Sequence, residues 1–110
     1  MTQVQYSRHN NEYHIKIQGH SDGEKNEHGH DLVCCACSTV GFMLANAINN
    51  MEYAEKLIYD ATKPIMEFKF VTRNNVLIGI IDNAMDTFKA LEEQYPENIL
   101  LKFDVSGRNF

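Results

Sequence analysis

The sequence predicts an α+β domain in which two helices pack on one mostly antiparallel sheet, in the order ββαββαβ. Three observations carry this. Several short stretches alternate apolar and polar residues at period two, the mark of half-buried strands. Two longer stretches repeat apolar residues at helical spacing. Turn residues separate the strand candidates pairwise, Asn10-Asn11 in the first pair and Asp60 to Pro64 in the second.

The elements follow in order. Val4 and Tyr6 punctuate the first strand. In the second, Tyr13, Ile15 and Ile17 share one face, and His14, Lys16 and Gln18 share the other. This strand ends at Gly19-His20, and a polar loop, Ser21 to His30, follows. Asp31 is a favoured helix cap, because its carboxylate accepts backbone N–H groups of the first turn. It is expected to open an uncharged helix running to about Asn49. At about 100° per residue, Val33, Ala36, Val40, Met43, Leu44 and Ala47 form the stripe expected to face the sheet. Leu57 to Tyr59 is a short strand. Ile65 to Val71 alternates again, with Met66, Phe68 and Phe70 on one side. A second helix starts near Asn75, repeats Leu77, Ile81, Ala84, Phe88 and Leu91, and stops before Pro96. Ile99, Leu101, Phe103 and Val105 mark the last strand.

Composition bounds the function. The chain has 110 residues, 44% hydrophobic and 23% charged, which fits one folded domain over 1–110 and excludes disordered or collagen-like classes. Such a chain buries roughly two thirds of its unfolded surface, enough for one core. Ten basic against fifteen acidic side chains give a net charge of −5, so direct nucleic-acid binding is not expected and a basic partner is favoured. Leu32 to Met51 lacks charge and has the length of a membrane span. Its Ser38, Thr39, Gly41, Asn46, Asn49 and Asn50 are costly in lipid, and a helix enclosed by its own domain is expected instead. The N-terminal MTQVQYSRHN has no apolar signal region. The three cysteines, at 34, 35 and 37, are too close together to frame a disulfide scaffold. Both features point to the reducing cytoplasm.

The chemistry concentrates in one stretch. All five histidines lie in the first thirty residues, and the cysteines follow directly. With Asp31 as cap, Cys34 falls in the first turn, where the positive end of the helix dipole stabilises a thiolate. Cys34 also lies off the expected stripe and shares a face with Ser38, so it is the nucleophile candidate. Cys37 sits at the stripe's edge and reads as a core residue. Cys35 lies on the opposite flank and reads as inert, apart from redox sensitivity. A cysteine nucleophile wants a base. His20 returns toward the helix start; His28 and His30 belong to the loop, and His30 would face Cys34 at i, i+4 if the helix began a turn earlier. Pattern alone does not choose among them. His9 and His14 read as solvated hairpin residues. A metal site is the rival reading of His28, His30, Cys34, Cys35 and Cys37, but the Cys34-x-x-Cys37 pair has no second pair to answer it.

Gly19-His20-Ser21, then Gly29-His30-Asp31-Leu32-Val33-Cys34 and Ser38, resemble the signature of the ribosomal-processing cysteine protease family called Prp. Asn46-Ala47-Ile48 at the end of the first helix and Glu93-Gln94-Tyr95-Pro96 after the second agree, so the resemblance covers nearly the whole chain. It implies a cytoplasmic, homodimeric endopeptidase without metal or other cofactor. Its substrate would be the N-terminal extension of the large-subunit ribosomal protein numbered twenty-seven, cut after an aromatic residue in an apolar motif. By position, Cys34 would be the nucleophile and His20 the base. Asp31 and Ser38 would support the site, and Ser21, Gly29 and His30 would belong to a loop that moves to admit substrate. Two departures stand out: Cys35 and Cys37 replace small residues usual after the nucleophile, and the loop carries Asp22, Glu24, Lys25 and Glu27. The competing expectation is a non-enzymatic, dimeric binding module for a ribosome-associated protein, with Cys34 a structural thiol. Rapid alkylation of Cys34 near neutral pH would separate the two.

Overall fold

The computed structural model describes residues 1–19, 28–50, 54–62 and 64–106. The chain forms β1 (Thr2–His9), β2 (Glu12–Gln18), α1 (His28–Asn50), β3 (Ala54–Asp60), β4 (Ile65–Thr72), α2 (Asn75–Gln94) and β5 (Ile99–Ser106). This is the expected ββαββαβ order. The five strands make one sheet, ordered β3-β4-β2-β1-β5. Every neighbouring pair is antiparallel except β1 with β5, which run parallel because α2 carries the chain back across the sheet. The β1–β2 turn places Asn10 at φ 58°, a left-handed conformation that asparagine tolerates better than most residues.

Alternation sorts the strands as their period demands. Val4, Tyr6, Tyr13, Ile15, Ile17, Met66, Phe68 and Phe70 are buried beneath the helices. Between them Gln5, Ser7, His14, Lys16, Glu67 and Lys69 occupy the other face. α2 adds Leu77, Ile81, Ala84, Met85 and Phe88 to the core. Its start is set by Asn74, whose Oδ1 accepts the N–H groups of Val76 and Leu77 at 2.9 and 3.1 Å.

α1 departs from expectation in two ways that matter for the site. It begins at His28, so Asp31 lies within its first turn and is not the cap. An acidic residue there still complements the helix dipole. Its inward stripe is also rotated. Val33, Cys37, Leu44, Ala45 and Ile48 are buried, whereas Met43, expected inside, is 62% exposed. Gly41, buried against the sheet, accounts for the rotation. A methyl group on its Cα would lie 2.6 Å from Met66 Sδ and 3.1 Å from Ile17 Cδ1. Met43 is about 200° further round the helix and therefore points away. The helix is long and apolar enough to cross a membrane, yet this inner line packs it into the domain's own core.

β3 is longer than the expected Leu57 to Tyr59. Its register slips between Lys56 and Ile58, which destroys the period-two pattern by which a strand is read. Tyr59 Oη donates to the Ala45 carbonyl at 3.0 Å, tying this edge strand to α1.

Candidate active site

The site lies where β2 runs out beneath α1. Gly19 N–H donates to the Pro64 carbonyl at 2.6 Å, which closes the end of β2 against the start of β4. A methyl group on Gly19 would lie 3.3 Å from Cys34 Sγ and 3.4 Å from that carbonyl oxygen. The Cys34 sulfur thus lies close over the backbone just past the strand, and a side chain at Gly19 would require it to shift by a few tenths of an ångström. Cys34, Gly41 and Ile48 recur at intervals of seven, so they lie along one line of α1. Cys34 is therefore on the inward face, contrary to its expected off-core direction. It stays half-buried and accessible because the sheet ends beneath it, whereas Ile48, on the same line, is fully covered.

The three cysteines occupy three environments. Cys34 is half-buried, Cys35 exposed and Cys37 buried. Burial, and then the neighbouring Cys34, push the Cys37 thiol up to about 12, so it stays protonated at neutral pH. The core reading of Cys37 and the outward flank read for Cys35 agree with these positions.

The earlier helix start changes the electrostatics around Cys34. Cys34 is in the second turn of α1, beyond the opening amides that lack an intrahelical partner. The dipole's influence fades within the first turn, so the helix end is a weaker source of thiolate stabilisation than the sequence suggested. The same start places His30 four residues before Cys34 on one continuous helix. Gly29 and Asp31 belong to that first turn as well, rather than to a loop and a cap. His20 and Ser21 lie outside the described residues, but His20 follows directly after Gly19, where an added methyl group would come within 3.3 Å of the sulfur.

Ser38 is nearly buried, and its hydroxyl donates to the Cys34 carbonyl at 2.8 Å. Thr39 does the same to the Cys35 carbonyl at 2.9 Å. Ser38 is thus held against the backbone of the nucleophile candidate, not against its thiol. His14 and His9, expected to be merely solvated, carry partners on the sheet's far face: His14 Nε2 sits 2.6 Å from Glu67 Oε2, and His9 Nε2 4.0 Å from Asp104 Oδ2. The sequence reading missed Pro64, whose carbonyl frames the site from the β3–β4 turn. Only its place in a turn marked it, and nothing local announces that the turn meets β2.

Comparison with known proteins gives this geometry its context. The family model for cysteine protease Prp matches residues 1–100. The ribosomal processing cysteine protease Prp of two Staphylococcus aureus strains is 33% identical over 91 residues, covering 81% of this chain and 84% of the relative. The crystal structure of the essential ribosomal processing protease Prp from S. aureus, with a covalently linked product peptide, superposes with a TM-score of 0.74. It is 28% identical and covers 94% of this chain and all of that one. SMU.848 from Streptococcus mutans shares the fold, with a TM-score of 0.72 at 22% identity over 96% of this chain and 99% of its own. With a family match that spans every element from β1 to α2 and a curated relative above 30% identity, this chain belongs to the Prp family of cysteine proteases.

Proposed function

We propose that this cysteine protease cuts through a Cys34 nucleophile with His20 as its base, and that its substrate is the N-terminal extension of the large-subunit ribosomal protein numbered twenty-seven. The observation that carries the reading is the packing of Cys34 Sγ against Gly19, the residue that immediately precedes His20. Proton transfer then fits the chain's course: His20 accepts the thiol proton, the thiolate attacks the scissile carbonyl, and the imidazolium protonates the leaving amine. Water hydrolyses the resulting thioester. Asp31 supports the first turn of α1, and Ser38 fixes the Cys34 carbonyl. The resemblance adds Ser21, Gly29 and His30 to the same proposed site.

The relatives' name as ribosomal processing proteases, and a relative's covalent link to a product peptide, support this substrate class and a covalent intermediate. A net charge of −5 suits a basic ribosomal protein. The same reading has a single domain over 1–110 acting in the cytoplasm as a homodimer, with no cofactor, nucleic acid or membrane. Light scattering of the purified protein tests the dimer.

The decisive experiment incubates the protein with a peptide spanning the extension and follows cleavage by mass spectrometry. A single cut after the aromatic residue is expected, absent in Cys34→Ala with thermal stability nearly unchanged. Cleavage surviving in Cys34→Ala overturns the assignment. His20→Ala should abolish cleavage and His30→Ala should only weaken it; the reverse pattern would move the base to His30.

A further inference from the structure

We propose that Cys37 is a resolving thiol for Cys34, so that hydroperoxides switch the protease off reversibly through an intrahelical Cys34–Cys37 disulfide. The inference rests on Cys34 being the reactive thiol.

The two residues are three apart on α1, both on its inward face, and the half-buried one is the only one of the pair that solvent reaches. At that separation Cβ atoms stand about 5–6 Å apart. A disulfide needs roughly 3.5–4.5 Å, so one turn must tighten by an ångström or two. The turn is suited to that adjustment. Ser38 and Thr39 both send their hydroxyls back to the carbonyls of Cys34 and Cys35, a bond that loosens and bends a helix. Cys35 is a poor rival, because it is exposed on another flank and a bond between adjacent residues would break the helix. Burial holds Cys37 protonated at rest, so it neither competes for peptide nor oxidises first.

The chemistry balances. The Cys34 thiolate attacks the hydroperoxide oxygen, the O–O bond breaks, and the alkoxide or hydroxide leaves and takes a proton, giving Cys34 sulfenic acid. That group is neutral, which removes the part of the Cys37 elevation due to Cys34's charge. Cys37 sulfur then attacks the sulfenic sulfur and expels water. Two thiols have lost two electrons to one hydroperoxide. The closed loop is too short to constrain the unfolded chain, and the turn is distorted, so small thiols should reopen the bond readily.

The test begins with the reduced protein, whose Cys34-dependent cleavage and alkylation establish the reactive thiol. Hydrogen peroxide is then added and the products are mapped by mass spectrometry. The wild type should lose activity, lose two of its three thiols and the mass of two hydrogens, and keep Cys35 open to alkylation. Dithiothreitol should restore nearly full activity. Cys37→Ala, lacking the resolving thiol, should instead be driven by excess peroxide past the sulfenic acid to the sulfinic acid, gaining two oxygens at Cys34 that dithiothreitol cannot remove, and so recover little. A disulfide that includes Cys35, a cross-linked dimer, or equal recovery in Cys37→Ala overturns the proposal, and the wild-type map decides even if that variant folds poorly. Absent cleavage with the Cys34–Cys37 bond still forming would strike the substrate reading alone.

Discussion

At the scale of single residues, Gly19 offers the sharpest test of the proposed site. Its hydrogen atom faces a sulfur and a carbonyl oxygen at distances that leave a methyl group little slack. Gly19→Ala should therefore displace either Cys34 Sγ or the Pro64 carbonyl by a few tenths of an ångström. The fold can absorb that at the end of a strand, but the sulfur proposed as the nucleophile would be moved off its line of attack. A fall in kcat/KM of roughly ten- to a hundredfold is expected with little change in Tm. Steady-state kinetics beside a thermal melt would check it, and an unimpaired Gly19→Ala would mean that this contact does not position the sulfur. Much of this site was legible in the sequence. The structure brings Cys34 and Ser38 together with Gly19, the residue before the proposed base His20, as the sequence order suggested, and the 3.6-residue period correctly sorted the buried Cys37 from the exposed Cys35. The direction of Cys34 was not legible. It depends on where the sheet ends beneath the helix, a property of β2 and of the β3–β4 turn rather than of α1's own pattern.

At the scale of elements, two glycines in two helices should answer the same substitution with opposite signs. Gly79 lies exposed in α2 with nothing near its Cα, so Gly79→Ala should stabilise by about 0.5–1 kcal/mol through helix propensity and a less free unfolded chain. Gly41 gains the same propensity but must force Met66 and Ile17 out of a filled core, which costs about 1–3 kcal/mol. The overpacking wins, and Gly41→Ala should lose about 1 kcal/mol net. Chemical denaturation of both variants measures the contrast, and a stabilised Gly41→Ala would show that α1 can lift from the sheet. This pair also explains what the elements concealed. An apolar count over α1 favoured Met43 as a core residue because glycine adds nothing to such a count. Contact distance rotated the helix instead. The helix start was similarly hidden: Asp31 has the chemistry of a cap, but an acidic side chain is equally welcome one turn further in. α2 was read well because its cap, its apolar period and Pro96 all agree.

At the scale of the whole molecule, the two-layer plan separates duties. The helices and the core they cover lie on one side of the sheet, and the Cys34 site opens at that layer's end. The far face carries polar side-chain pairs, among them His14 with Glu67 and the ion pair of Lys69 with Glu12. Placing a titratable thiol in the shared core makes global stability depend on pH. The Cys37 thiol is raised from 9.0 to about 12 on folding, first by burial and then by Cys34. Below about pH 9 it is protonated in both states and costs nothing. Between 9 and 12 the unfolded chain releases that proton while the folded chain retains it, so the unfolded state binds fewer protons and stability falls as pH rises. Other groups titrate in the same range, which makes the variant the informative comparison. Cys37→Ala gives up some packing at every pH but removes this particular slope. Its unfolding free energy should therefore decline less steeply from pH 9 upward than the wild type's, and the two curves should converge there. Parallel curves would mean that Cys37 ionises in the folded protein as freely as in the unfolded chain. The core would then be open to solvent at this turn, and Cys37 would be directly available to oxidants instead of waiting behind Cys34.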